Sequence, residues 1–307
     1  MAAVIADPHF KEEELTLFVK KRIERLNTEM AKNDVISYRE ITAAVYGDQH
    51  PYGYNSQPSL YEEVTTTDVN THYKRTINAR NCKLFVAGDT SDKDHVKITW
   101  LTNQFPSGGE DMSSLIMPSY EMTPTRKQHK GNPTQTSIKL GQRTFDRNHE
   151  DYNRVHFSTT LLGGYFGSRL VSRIREELGL TYGIYASVDP QLFDGSLMIA
   201  TEVANENVEQ CLNEIYHEME RLKTEKVTPE ELALVKNYLM GNYLNLFDGP
   251  FNSMKAIKSI VLSGIPLSNL NTLIASSVSV SAEQVQETAQ QYFNRNDFWE
   301  MIVGSSK

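Results

Sequence analysis

Two stretches near opposite ends of the chain share one layout, and that repetition restricts the possible folds more than any other feature. Val64-Thr-Thr-Thr-Asp-Val69 leads through Tyr73 to Asn81-Cys-Lys-Leu-Phe-Val-Ala-Gly88. Val280-Ser-Ala-Glu-Gln-Val285 leads through Tyr292 to Asp297-Phe-Trp-Glu-Met-Ile-Val-Gly304. From Val69 to Gly88, and from Val285 to Gly304, there are nineteen positions. Each stretch reads as a capped helix, a short turn and an apolar strand that ends in glycine. Upstream of each lies a further helix, over Glu12–Glu29 and Pro229–Leu246. Thr228 caps the second of these, with Pro229 at its first position and Glu230 and Glu231 in its first turn. The two ends of the chain therefore read as the back halves of two related domains.

Only the second copy has a front half. A polar linker runs from Pro118 to Pro133, and a strand follows at Thr134–Gly141. Then come a helix over about Glu150–Leu162, a glycine-punctuated helix, strands Tyr182–Val188 and Ser196–Val203, and a helix over Glu206–Thr224. The segment Asp189–Gly195 reads as the turn of a hairpin. The expected division is residues 1–117, the back part of a first repeat, and residues 118–307, a complete second repeat. Met1-Ala-Ala-Val-Ile reads as the tail of a helix already under way. The first sheet is expected to have unfilled edges, to be completed by upstream sequence or a partner chain. The fold class is α/β (α+β), with mainly antiparallel sheets covered by helices on one side.

Bulk properties exclude several function classes. A net charge of −8 argues against nucleic acid as a partner. No apolar run approaches the ~18 residues that a membrane span needs. The first residues lack the basic flank and long apolar core of a signal peptide. The two cysteines, Cys82 and Cys211, fall on apolar positions of a strand and a helix and read as core residues. They leave the compartment open: a soluble protein, cytoplasmic, or periplasmic if an upstream signal was removed.

The chemistry concentrates in Leu161-Leu-Gly-Gly-Tyr-Phe-Gly-Ser168-Arg169-Leu170-Val-Ser-Arg-Ile-Arg175-Glu-Glu-Leu-Gly179-Leu-Thr-Tyr182. Leu170, Ile174 and Leu178 recur at four-residue spacing, and Gly179 sits where a left-handed cap belongs. Arg175 thus falls on the last turn and Tyr182 at the start of the next strand. A guanidinium and a phenol so placed can donate to one carbonyl oxygen, and more strongly to the oxyanion it becomes. On spacing alone, a solvated Arg and a half-buried Tyr remain the commoner reading.

This stretch resembles the second domain of the insulinase/pitrilysin-type zinc metallopeptidases, the inverzincins, which include mitochondrial-processing-peptidase-like proteins. Gly163-Gly164, Ser168-Arg169-Leu170, Arg175 and Tyr182 match the pattern, and the likeness extends over nearly the whole chain. The resemblance implies that Arg175 and Tyr182 hold the substrate backbone and the tetrahedral intermediate. It implies that Gly163, Gly164, Ser168 and Arg169 contribute to substrate binding. It further implies two repeats facing each other around a cavity, with zinc on the first.

Zinc requires two or three His or Glu groups converging on the metal, supplied in this family by H-x-x-E-H on a helix. No such motif, and no H-E-x-x-H, occurs among His9, His50, His72, His95, His129, His149, His156 and His217. The family's third ligand maps to Leu26 or Asn27, and neither is a carboxylate. No metal site is expected in this chain; zinc is expected on upstream sequence or a partner subunit. The expected function is the substrate-binding, zinc-lacking portion or subunit of an insulinase-like metalloendopeptidase, inactive alone. Its expected partners are a peptide or unfolded protein substrate and a zinc-bearing half or subunit, or further copies of the chain. The alternative is a catalytically silent scaffold or protein-interaction member of the same family.

Overall fold

The computed structural model describes residues 2–304, apart from 113–116 and 118–121. In chain order the helices and strands are α1 (Ala2–Ala6), α2 (Glu12–Glu29), α3 (Asn33–Tyr46), α4 (Pro58–Glu62), α5 (Thr66–Thr76), α6 (Asp92–Thr102), β1 (Arg126–Lys130), β2 (Thr136–Arg143) and α7 (Tyr152–Thr159). There follow β3 (Ile184–Pro190), β4 (Gly195–Val203), α8 (Val208–Thr224), α9 (Pro229–Leu246), α10 (Gly249–Leu262), α11 (Leu270–Val278), α12 (Ala282–Tyr292) and β5 (Trp299–Gly304). The chain divides into two units. One comprises Met1–Glu29, Ser56–Pro118 and Gly249–Lys255; the other comprises Met30–Asn55, Ser119–Asp248 and Ala256–Lys307.

The second unit is built on one five-stranded sheet of order β1-β5-β2-β4-β3. Only β1 and β5 run parallel; the other pairs are antiparallel. β2, β4 and β5 are buried almost throughout, because both faces of the sheet are covered. On one face Ile138, Leu140, Leu197 and Ile199 pack with Phe157, Ile174, Leu212, Ile215, Val285 and other helical residues. On the opposite face Ile41, Ala44, Val45 and Tyr46 of α3 meet Met198, Trp299, Met301 and Val303. The one-sided cover expected from the sequence is thus a two-sided one. Gly141 admits the close approach of α3, since a Cβ there would stand 2.8 Å from Ile41 Cγ1. The buried Lys139 sends its Nζ to Asp34 Oδ1 in the first turn of α3, at 2.6 Å.

Capping residues start the helices where the sequence places them. Thr65 and Asp68 close a reciprocal capping box at α5, and Ser281 and Gln284 close one at α12. The Glu231 N–H donates to Thr228 Oγ1 at 3.2 Å to open α9. The second repeated unit, α12–turn–β5, forms as expected. In the first unit α5 forms, but residues 82–87 carry no ladder among the described residues. A strand exists only through its neighbours, and residues 82–87 have none among the described residues; Leu84 and Val86 stand 41% and 49% exposed. Both buried apolar clusters found among the described residues belong to the second unit. The polar linker holds β1, hidden from sequence reasoning by its Arg-Lys-Gln-His-Lys composition; residues 118–121 of that linker lie outside the described residues.

Candidate functional site

The glycine-punctuated segment is not one regular helix. α7 passes into a π-helical turn at Thr160–Gly164, and a second π-helix spans Val171–Glu177. π-Helical turns carry a wider hydrogen-bond ring and recur at functional sites. Gly163 is required by a close approach to β3: a Cβ there would stand 2.7 Å from Ala186 Cβ. Leu170 and Ile174 are fully buried beneath the second π-helix. Its end is a wide glycine cap: Gly179 has φ +62°, the Leu178 N–H donates to Arg173 O at 3.1 Å, and the Leu180 N–H to Ile174 O at 3.0 Å.

Arg175 lies on the outer side of this turn, half-exposed. Its Nε stands 3.2 Å from Glu176 Oε1, and its guanidinium covers the Phe166 ring at 5.1 Å. Tyr182 follows the cap and is 93% exposed. The adjacent Thr181 fixes the loop from below, its hydroxyl donating to Glu202 O at 2.7 Å and accepting from Thr201 Oγ1 at 2.9 Å. Among the described residues no hydrogen bond or ion pair joins Arg175 to Tyr182; each is presented to solvent. Tyr182 opens directly into β3, an edge strand whose residues alternate between buried Ile184 and Ala186 and exposed Tyr185 and Ser187. The outer edge of β3 pairs with no strand among the described residues, leaving a row of backbone donors and acceptors able to take an extended peptide.

The other sequence-selected residues lie beneath this edge. Arg169 sends Nε and Nη2 to the two Glu231 oxygens at 2.6 and 3.0 Å. Ser168 is buried and its carbonyl accepts the Ser172 N–H at 2.9 Å. The Gly164 carbonyl accepts from the Tyr238 hydroxyl at 3.3 Å. Sequence reasoning missed Arg173, whose Nε donates to Glu214 Oε2 on α8 at 2.8 Å and whose Nη1 donates to Glu177 Oε2 at 2.8 Å. Those two carboxylates raise its pKa further above the arginine range. Charge complementarity between the π-helix and α8 was the available signal.

The described residues do not fit a zinc centre. Among the described residues no three His, Cys, Asp or Glu side chains gather to hold an ion. His50 is buried, stacks on Tyr46, and accepts the Tyr52 N–H on Nδ1 at 3.0 Å. His149 stacks on Phe145 at 3.8 Å and His156 on Tyr152 at 5.8 Å. Of the two positions to which the family's third ligand maps, Leu26 is buried and Asn27 exposed, both in α2.

The chain resembles known proteins in both sequence and fold. Residues 63–239 match the family model described as the peptidase M16 inactive domain. An uncharacterized zinc protease of Rickettsia felis is 26% identical over 305 residues, covering 96% of this chain and 71% of its own length. The probable inactive metalloprotease YmfF of Bacillus subtilis is 22% identical, over 73% of this chain and 49% of its own. The fold is that of the crystal structure of a peptidase M16 inactive domain from Pseudomonas fluorescens, with a TM-score of 0.90, 24% identity, and coverage of 100% of this chain and 74% of that one.

Proposed function

The chain belongs to the peptidase M16 inactive-domain family, and from that premise we propose that it is the peptide-holding, zinc-lacking part of a metallopeptidase assembly. The observation that carries this reading is Tyr182, 93% exposed at the opening of β3, whose outer edge pairs with no strand among the described residues. An extended peptide adds to β3 through main-chain hydrogen bonds. Arg175, on the turn before it, and Tyr182 then donate to a peptide carbonyl, and more strongly to the oxyanion it becomes. Gly163, Gly164, Ser168 and Arg169 keep the π-helix seated so that both donors face the same edge. The hydrolytic machinery belongs to a zinc-bearing partner half or subunit. The bare apolar segment at residues 82–87 supports such a partner, because an unpaired apolar strand is a template for another chain.

Hydrogen exchange across β3 tests the proposal, using a denatured, alkylated model protein as ligand. Slowed exchange at Ile184–Pro190 that is weakened by Tyr182→Phe is the expected result. A β3 that exchanges at the same rate with and without ligand would falsify it. The second reading, a silent scaffold, is favoured by one observation, that neither Leu26, buried, nor Asn27, exposed, the two positions to which the family's third ligand maps, is a carboxylate. It predicts no effect of ligand on β3 and stable capture of a partner chain by the first unit.

A further inference from the structure

A cavity of about 340 Å³ lies on the face of the sheet opposite α3, walled by α7 and its π-helical extension, β3 and α9. That volume is at the lower end of the range for small-molecule sites. Arg147 is the only Asp, Glu, Lys or Arg in its lining. His156 also lines it, but burial, reinforced by the neighbouring Arg147 charge, lowers its pKa to about 4 and keeps it neutral at pH 7. Among the described residues no carboxylate pairs with Arg147. Its Nη1 reaches Ser259 Oγ at 3.5 Å, its guanidinium stands 5.7 Å from the Tyr152 ring centre, and its buried Nε has no hydrogen-bond partner.

A second orphan lines the same cavity: Thr159 Oγ1 is buried and also lacks a partner. Two neighbouring hydroxyls are already committed, Thr160 Oγ1 to His156 O at 2.7 Å and Tyr238 to Gly164 O at 3.3 Å. Buried donors without acceptors are costly, and a cation without a counter-charge more so. Two such donors in one cavity constitute a site prepared for an acceptor carrying one negative charge. A single guanidinium matches the planar fork of a carboxylate; a doubly charged phosphate would need further cations. Leu239, Val188 and Ala186 supply an apolar wall for the rest of the ligand.

We propose that this cavity binds a monocarboxylate with a compact apolar body, its charge held by Arg147 and a further oxygen contact supplied by Thr159. The carboxylate belongs either to a free small acid or to the C-terminus of a peptide. The proposal does not depend on peptide addition to β3.

Titration calorimetry on the full 307-residue chain tests it with four probes: phenylacetate, its neutral isostere phenylacetamide, and a Phe-terminated hexapeptide with a free or an amidated C-terminus. Binding of phenylacetate but not phenylacetamide is expected if the source is a free acid. Binding of only the free-terminus peptide identifies a chain terminus; both outcomes support the proposal. Arg147→Gln should weaken the bound acid by roughly tenfold or more. Thr159→Val should weaken it severalfold while melting no lower than the wild type, since it removes an unsatisfied buried hydroxyl. That second variant, with the neutral isostere, decides the matter if Arg147→Gln does not fold. Equal binding of charged and neutral probes, wild-type affinity in both variants, or no binding up to ~10 mM overturns the proposal.

Discussion

Tyr182 exposes a phenol ring that buried or half-buried tyrosines would keep covered. Its neighbour Thr181 is held by hydrogen bonds to the Glu202 carbonyl and Thr201 Oγ1, so the loop is anchored although the ring is free. A donor on an anchored loop costs little reorganisation when an oxyanion forms beside it. In an assembled peptidase, Tyr182→Phe or Arg175→Ala should therefore lower kcat by ~10²-fold or more with the fold unchanged by circular dichroism. Unchanged kcat in both variants would leave only an interaction role. His156 supplies a second test at this scale. Its pKa is lowered from 6.5 to about 4 by burial, with Arg147 adding to the effect. As pH falls from 6.5 toward 4, the unfolded chain takes up a proton that the folded chain refuses, so this contribution to stability is intact above 6.5 and is lost across that window. Urea midpoints at pH 7 and pH 5 should fall further for the wild type than for His156→Gln, and an imidazole NMR titration should place the folded pKa well below 6.5.

At the scale of elements, the π-helix carrying Arg175 is held from two sides. Gly163, on the preceding π-helical turn, allows the segment that leads into it to close on β3, and Arg169, just before its start, pairs with Glu231 in the first turn of α9. Gly163→Ala places a Cβ 2.8 Å from the Ala186 backbone nitrogen, and overpacking of this kind costs roughly 1–3 kcal/mol. Arg169→Ala removes a charge-assisted pair and leaves Glu231 unmatched, for roughly 1.5–3 kcal/mol. Urea denaturation measures both, and effects under ~0.5 kcal/mol would show that the π-helix is seated by other contacts. The same elements show what a sequence discloses. α2 and α9 run over the residues that their first-turn acids and periodicity marked, because caps and apolar spacing are local signals. The π-helices were not legible: Leu170 and Ile174 have the spacing of an ordinary helix, and nothing local in the sequence marks the widened ring. β1 was missed because a polar edge strand owes its state to its neighbour β5 rather than to its own residues. Residues 82–87 fail in the opposite way, with strand composition and no ladder.

At the scale of the whole molecule, sequence order and spatial grouping disagree. Residues 30–55 belong with the second unit, although they precede most of the first. The expected division at 117/118 follows chain order, and the repeat gave no sign that α3 would cover the later sheet. Removing α3 uncovers Met198, Trp299, Met301 and Val303 on one face of that sheet. A truncated chain of residues 118–307 is therefore expected to bind a hydrophobic dye and aggregate, whereas residues 30–307 give a cooperative melt. A cooperative, dye-free 118–307 would show that the second unit stands without α3.

The position of β5 bears on how the protein is made in the cell. Among the strands of this sheet it is the last in chain order, yet it lies between β2 and β1, and β1 pairs with nothing else in the sheet. A ribosome extending this chain must release every other strand before the one that joins them. Strands β2, β4 and β3 can pair with one another beforehand, but β1 has no partner and the free edge of β2 stays open until residues 299–304 emerge. Chaperone occupancy along the growing chain should therefore persist to the end of β5 and fall only after it.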